Sequence, residues 1–119
     1  MVLKKMLRNL RTTQTQLDEE ELKEFCSRHA GCSSIGEARP RQQVNVVGEI
    51  TTLRIVPRAG SPSLEATISD GSGSLVAVWT GRRRIAGVAP GKRLMINGRG
   101  APIGPGGRLL FYNPTYELL

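Results

Sequence analysis

The sequence predicts an all-β domain, a five-stranded Greek-key barrel with a short helix before it. Five strand-length segments follow residue 43, and a polar, Gly-rich connector separates the third from the fourth. The first segment is long and contains Gly48, which is typical of a strand that bends to pair in both halves of a barrel. A generic SH3-like barrel also has five strands, but it gives less reason for a connector at that position.

Length and composition set the class of protein. A chain of 119 residues forms one domain plus at most a short appendage. Aromatic residues are 4% of the chain, so the core must be built mostly of Val, Ile, Leu and Ala. There is no run of 18 apolar residues and no apolar signal-peptide core. We therefore expect a soluble cytoplasmic protein without a membrane partner.

Residues 13–29 have the pattern of a helix. Thr15 is suited to cap its first turn, and the acidic residues 18–21 interact favourably with the positive, N-terminal end of the helix dipole. Apolar residues then recur at helical spacing until Gly31, which is a typical stop. We expect residues 1–12 to be disordered.

A polar segment, residues 32–43, follows this helix and has the composition of a linker. Pro40 within it prevents the helix from continuing. We therefore predict two parts, a helical extension with its linker over residues 1–39 and the barrel domain over residues 40–119. The acidic helix could pack against the basic domain or form a surface for a partner, and both possibilities stay open at this stage.

Two cysteines flank the single histidine of the chain. Cys26, His29 and Cys32 supply three possible ligands, but no second Cys or His cluster supplies the fourth ligand of a structural zinc site. The pattern favours two free thiols over a metal site or a disulfide in a reducing compartment. We expect neither a metal nor another cofactor.

Five segments justify the strands in chain order. Strict alternation in LEATIS places Leu64, Ala66 and Ile68 on one face, and a tight turn at Asp70–Gly73 then directs Leu75, Ala77 and Trp79 to the same face. Pro- and Gly-rich stretches predict loops at 57–63 and 101–107. The predicted strands are 43–56, 64–69, 75–79, 92–100 and 108–118.

The positive charge lies mainly in the barrel region. The formal net charge is +7, and only +1 of it falls in residues 1–36. Arg82, Arg83 and Arg84 begin the connector, and no acidic residue lies between Asp70 and Glu117 to neutralise them. Such an excess attracts polyanions, of which nucleic acid is the commonest in a cell. The alternatives are a solvated connector that tolerates charge and an Arg-rich composition inherited from a GC-rich genome.

Three segments resemble a known family. LEATISDGSGSLVAVW, PGKRLMINGRG and GGRLLFYNPTYELL resemble the OB-fold nucleic-acid-binding family that includes tRNA anticodon-binding domains and the wedge domain of RecG helicase. VWTGRRRIAGVAPG and YNPTYEL are most similar to small stand-alone actinobacterial OB-fold proteins. The resemblance covers about residues 40–119 and implies the OB fold.

The resemblance also implies a site for single-stranded or junction DNA, or for RNA, on the second and third strands and the flanking loops. Val76 and Val78 are expected to point outward, with Trp79 in the core or at the rim. Tyr112 or a rim-placed Trp79 is the realistic stacking residue, whereas Glu65 would repel phosphate, so we expect weak, salt-sensitive binding. The implied nucleic-acid-binding residues are Arg54, Arg58, Thr67, Ser69, Val76, Val78, Thr80, Arg82, Arg83, Arg84, Arg99, Arg108 and Tyr112.

Two other functions were weighed against this one. Catalysis has little support, because one His and two Cys without a positioned base form no nucleophile–base pair, so we predict no catalytic residues. A protein-interaction adaptor or homo-oligomer would use the barrel face or the acidic helix. It predicts an exposed apolar patch around Val76 and Val78, whereas nucleic-acid binding predicts that Arg82, Arg83, Arg84, Arg99 and Arg108 converge on one surface.

Overall fold

Six strands form one sheet that closes on itself. The computed structural model describes residues 17–29 and 31–119, so the predicted cap at Thr15 and the expected disorder of residues 1–12 lie outside the described residues. No helix in the described part of the chain is long and apolar enough to span a membrane. The elements are α1 (residues 17–27), a 3₁₀ helix (Ile35–Glu37), β1 (Gln43–Arg58), β2 (Ser61–Ser69), β3 (Ser74–Thr80), β4 (Arg93–Ile103), β5 (Arg108–Tyr112) and β6 (Thr115–Leu118).

The strand order is that of a closed Greek-key barrel. The strands follow one another as β1-β2-β3-β5-β4, and a second pairing between β1 and β4 closes the ring. The β3–β5 pair is parallel, whereas the other pairs are antiparallel. Strand β6 pairs with residues 94–97 of β4, which precede the β4 residues that pair with β5. This arrangement confirms the predicted all-β OB fold, with five strands in the ring.

The long first strand serves two partners. Its first half, from Gln43 to Glu49, pairs with β4, and its second half, from Glu49 to Arg58, pairs with β2. The register shifts between Ile50 and Thr52, just after the change of partner. The irregularity expected at Gly48 therefore lies two residues further along, because Gly48 itself is in regular pairing with Leu94.

The barrel interior is filled by alternate residues of neighbouring strands. The pairs Leu64–Trp79, Ala66–Ala77 and Ile68–Leu75 lie across β2 and β3, and all six side chains are buried. Trp79 is therefore in the core, where its Nε1–H donates to the Pro114 carbonyl at 3.1 Å. This confirms the inward face predicted from alternation. The irregular connector at residues 81–92 adds the buried side chains of Ile85 and Val88 to the same core.

The predicted loops are shorter in the structure. The expected loop at 57–63 is wrong, because β1 and β2 continue to a turn of only two residues, Ala59 and Gly60, both at positive φ. The turn between β4 and β5 is limited to residues 104–107. The predicted last strand is interrupted at Asn113, whose φ is 48°, so that β5 and β6 are separate strands.

The segment before β1 packs against one end of the barrel. Ile35 is buried in the core, and its N–H donates to the Asp70 carboxylate at 2.8 Å. The same carboxylate accepts from the Ser72 and Gly73 N–H groups, which makes Asp70 a turn former as expected. The guanidinium of Arg93 lies 4.2 Å from the ring centre of Phe25 in α1. The boundary between residues 39 and 40 stays a prediction.

Candidate nucleic-acid interface

The outer face of β2, β3 and β5 brings together many of the predicted binding residues. In the cross-strand register, Glu65 lies opposite Val78, and Val78 lies opposite Tyr112. Paired residues share a face, and alternate residues along each strand share it too. The residues that this register places on the outer face are Ser63, Glu65, Thr67, Ser69, Ser74, Val76, Val78, Thr80, Leu110 and Tyr112.

Two arginines reach this face from the β1 side of the hairpin. Arg54 lies opposite Glu65, and its Nη2 is 2.9 Å from Glu65 Oε1. Arg58 lies opposite Ser61, and its Nη2 is 3.6 Å from Glu65 Oε2. The Glu65 side chain is only 12% exposed and holds both guanidinium groups at the edge of the face.

Tyr112, the last residue of β5, is the exposed aromatic residue of this face. It retains 55% of its accessible surface, whereas Trp79 is buried on the other side of the sheet. Arg58 Nη1 donates to the Tyr112 hydroxyl at 3.3 Å, and the guanidinium carbon lies 5.7 Å from the ring centre. Of the two stacking candidates, the structure therefore leaves Tyr112 accessible and removes Trp79.

Val76 and Val78 are on the expected face, but the expectation that they are exposed is wrong. Val76 is 4% and Val78 0% exposed, and they form a small apolar cluster with Leu110 and the partly buried Ile103. The cluster arises because β5 adds Leu110 directly beside Val76. Neither valine is available to contact a ligand in this conformation, and the exposed patch that an adaptor would require is absent at these two positions.

The predicted polar residues line the same face. Thr67 and Ser69 are half-buried on β2, and the Ser69 Oγ accepts from the Gly71 N–H at 3.3 Å. Thr80 is exposed at the end of β3, where its N–H donates to the Asn113 Oδ1 at 2.9 Å. These side chains offer hydroxyl groups between the two ends of the face.

The three connector arginines are exposed and lie next to the hairpin. The connector begins where the Gly81 N–H donates to the Pro62 carbonyl at 2.8 Å. Arg83 borders a cavity of about 330 Å³ that Ile55, Pro57 and Pro62 also line, on the side of the hairpin opposite Arg54. Among the described residues none of the three connector arginines forms an ion pair.

The remaining two arginines, Arg108 and Arg99, lie on different parts of the barrel. Arg108 is exposed at the start of β5, on the outer face two residues before Leu110. Arg99 lies in β4 opposite Gln43 of β1, and β5 stands between β4 and β3 in the ring. The face therefore has arginines at its hairpin end and one at its β5 end, whereas Arg99 lies further round the barrel.

Sequence reasoning missed two features of this face. Leu110 and Ile103 complete the apolar cluster, and alternation along the last strand could have placed Leu110 on the outside. Ser63 is 1% exposed, and its Oγ has no hydrogen-bond partner in the described structure. The Nε of Arg58 is likewise buried without a partner. No sequence signal reports such unpaired atoms, because they depend on how distant side chains pack.

The cysteines lie at the opposite end of β2, between α1 and the barrel. Both are free thiols that line a cavity of about 640 Å³ together with Lys23, Asp70 and Ser72. Burial raises the pKa of Cys26 to about 11, and the Asp70 carboxylate contributes to this increase. Within residues 17–29 and 31–119, no group of three or more His, Cys, Asp or Glu side chains could hold a metal ion.

Comparisons with known proteins agree with the fold. No protein-family model matches the chain, and no curated protein matches it. A solved structure, that of RecG bound to a three-way DNA junction, is similar with a TM-score of 0.59 and 18% sequence identity. The match covers 74% of this chain and 12% of the RecG chain. A likeness at this identity shows the shared fold.

Proposed function

We propose that this protein is a non-enzymatic OB-fold module that binds nucleic acid on the outer face of β2, β3 and β5. One observation carries the proposal: Tyr112 is exposed on a face that Arg54, Arg58 and Arg108 also reach. The RecG structure, which contains bound junction DNA, supports the same ligand class. We also propose that the protein belongs to the group of small actinobacterial OB-fold proteins and that it is cytoplasmic.

The chemistry of the face favours phosphate contacts over base readout. Arginine binds phosphate bidentately and keeps its charge at any physiological pH. A single exposed tyrosine provides one stacking position, which is worth about 1–3 kcal/mol for one base. The remaining affinity must come from arginine–phosphate contacts, so we expect binding to be sensitive to salt and tolerant of sequence.

The barrel face gives less support to the adaptor hypothesis. Its expected apolar patch at Val76 and Val78 is buried within the protein itself. The surface left on the outer face is made of arginine guanidinium groups, hydroxyl groups and one tyrosine ring. Such a surface suits a polyanion better than an apolar protein partner.

The experiment is a fluorescence-anisotropy titration with labelled single-stranded DNA, single-stranded RNA and a forked DNA duplex at several salt concentrations. For a single-stranded ligand held by about three to five phosphate contacts, the plot of log K against log salt has a slope of about −2 to −3.5. Replacing Arg54, Arg58 and Arg108 together with Ala should weaken binding about tenfold or more and flatten that slope.

A matched control removes the same charge elsewhere. Arg28, Arg39 and Arg41 are exposed residues outside this face, and their joint replacement with Ala also lowers the net charge by three. This control should lose less affinity than the variant that lacks Arg54, Arg58 and Arg108. Absence of binding to all three nucleic acids at low salt would overturn the proposed function, and the ligand that binds most tightly would identify the nucleic-acid class.

A further inference from the structure

One carboxylate occupies the position that the proposed function assigns to phosphate. Glu65 lies in the row that also contains Val78 and Tyr112, and it forms ion pairs with both arginines of the hairpin. Arg54 approaches it with two donors, Nε at 3.2 Å and Nη2 at 2.9 Å. Two donors from one guanidinium group are also the geometry with which arginine holds phosphate oxygens.

The Arg58 side chain links two strands of the face. Its Nη2 reaches Glu65 on β2, and its Nη1 reaches the Tyr112 hydroxyl on β5. Val78 lies between these two residues in the cross-strand row, so the guanidinium group crosses β3 at this position. Val78 is fully buried at this position, although it lies on the outer face of the sheet.

The arrangement leaves polar atoms without partners. Arg58 Nε is buried and has no acceptor within the described structure, although the two terminal nitrogens of the same group are engaged. The buried Ser63 Oγ, on the same face, is unpaired as well. A buried donor without a partner destabilises the state that contains it. The arrangement in which Arg58 binds Glu65 and Tyr112 therefore leaves some of the hydrogen-bonding capacity of these groups unused.

We propose that Glu65 is an internal competitor for nucleic-acid phosphate, which holds Arg54 and Arg58 over the face until a ligand displaces it. The inference rests on the proposed function. When nucleic acid binds, phosphate oxygens replace the Glu65 carboxylate on the two guanidinium groups, and Arg58 moves off Val78 and Tyr112. The ring of Tyr112 then becomes free to stack on a base. Glu65 is thus a positioning residue that sets the affinity and the salt dependence of the site.

Replacement of the Glu65 carboxylate by phosphate lowers the net number of cations that binding releases. Binding of phosphate releases the cations condensed on the nucleic acid, but it also frees the Glu65 carboxylate, which takes up a cation from solution. The wild-type protein should therefore show a shallower salt dependence than a protein that lacks the carboxylate. A purely structural role for Glu65 would not change the salt dependence in this direction.

The test compares Glu65→Gln with wild type in binding to a labelled 15-nucleotide oligothymidylate at several salt concentrations. Loss of the two ion pairs with Glu65 predicts about three- to tenfold tighter binding at low salt. It also predicts a log K against log salt slope that is steeper by up to about one unit. The matched control is Glu49→Gln, which makes the same charge change at a partly exposed ion pair with Arg93 beside α1.

The outcomes separate the two proposals. If Glu65→Gln binds more tightly and has a steeper slope of log K against log salt, but Glu49→Gln does not, the results support Glu65 as a competitor for phosphate. If wild type binds and Glu65→Gln binds equally or more weakly with an unchanged slope, the competitor is overturned and the proposed function stands. If neither protein binds the oligothymidylate, single-stranded RNA or the forked duplex at low salt, the proposed function fails, and the competitor proposal fails with it. Thermal unfolding of both variants confirms that they are folded.

A second measurement needs no ligand. The buried Arg58 Nε–H should exchange slowly with water in NMR spectra of the free wild-type protein, and Arg58→Lys identifies its signal by removing it. In Glu65→Gln we expect this exchange to be faster, because the side chain has lost its main anchor. Exchange that remains equally slow without the Glu65 charge would show that Arg58 is held in place by other contacts, against the proposal.

Discussion

Gly48 illustrates how one missing side chain allows β1 to cross the barrel. A Cβ at this position would lie 2.5 Å from Ile68 Cγ2 and 2.9 Å from the Ser69 carbonyl oxygen. The two strands can approach this closely only because no Cβ is present, and β1 changes partner one residue later.

We therefore expect Gly48→Ala to destabilise the protein by about 1–3 kcal/mol through overpacking in the core. Urea denaturation measures this change, with Gly106→Ala as the control. Gly106 has open space around its Cβ position, so its replacement should change the free energy of unfolding little. An equal effect of the two substitutions would contradict the packing argument.

Residue patterns predicted the faces of the strands but not how much of each face is exposed. Alternation correctly directed Leu64, Ala66 and Trp79 inward and Val78 outward. It could not show that Val78 is buried, because Val78 packs with Leu110 and Ile103, which lie in other strands more than twenty residues later in the chain. Burial on an outer face depends on long side chains that arrive from other strands.

The β1–β2 hairpin carries two arginines of the proposed site, Arg54 and Arg58. Its strands run to a two-residue turn in which Ala59 has φ 49° and Gly60 φ 80°. Both central residues of a type I′ turn require positive φ, and Asn-Gly is the favoured pair. Alanine at the first of these positions is strained by roughly 1–2 kcal/mol.

Ala59→Asn should therefore stabilise the hairpin, by about 0.5–1 kcal/mol in the free energy of unfolding. Gly60→Ala in the same turn should have the opposite effect, because it places a second Cβ at positive φ. Thermal and urea denaturation measure both changes. Destabilisation by Ala59→Asn would indicate that the turn has a different geometry.

The same hairpin explains why the element boundaries could not be predicted. Pro57, Gly60 and Pro62 together have the composition of a loop, yet Pro57 lies directly opposite Pro62 in a regular pairing. The N–H groups that the two prolines lack belong to a single cross-strand pair, so the ladder loses little. Composition alone therefore shortened β1 and β2, whereas their order and direction were correct.

In the whole molecule, the acidic residues of α1 and the arginines of the β1–β2 hairpin lie at different ends. The acidic residues of α1 lie near the β2–β3 turn, where Gly71 is in close contact with Lys23 and the Glu19 carbonyl. The hairpin arginines lie at the other end of β2. The sequence predicted the excess of positive charge, but only the fold shows that Arg99 lies away from the face that Arg54 and Arg58 reach.

Whether α1 and the barrel form one cooperative unit can be tested through Cys26. Its thiol is partly buried near the barrel, and this burial is the main cause that raises its pKa from 9.0 to about 11. Because alkylation requires the thiolate, the reaction of Cys26 with iodoacetamide at pH 8 should be about 100-fold slower in the folded protein than in urea. The stability associated with this burial is present below pH 9 and is lost as the pH rises towards 11.

Phe25→Ala removes the ring beneath Arg93 and should accelerate alkylation of Cys26, as measured by mass spectrometry of the alkylated peptide. The control Arg28→Ala removes only an exposed ion pair with Glu24 and should leave the rate unchanged. If Cys26 in the wild-type protein reacts as fast as in urea, α1 does not stay packed, and the predicted boundary between residues 39 and 40 separates two independent parts. Slow reaction that Phe25→Ala accelerates would instead extend the folded unit to α1, because the helix would then owe its packing to the barrel.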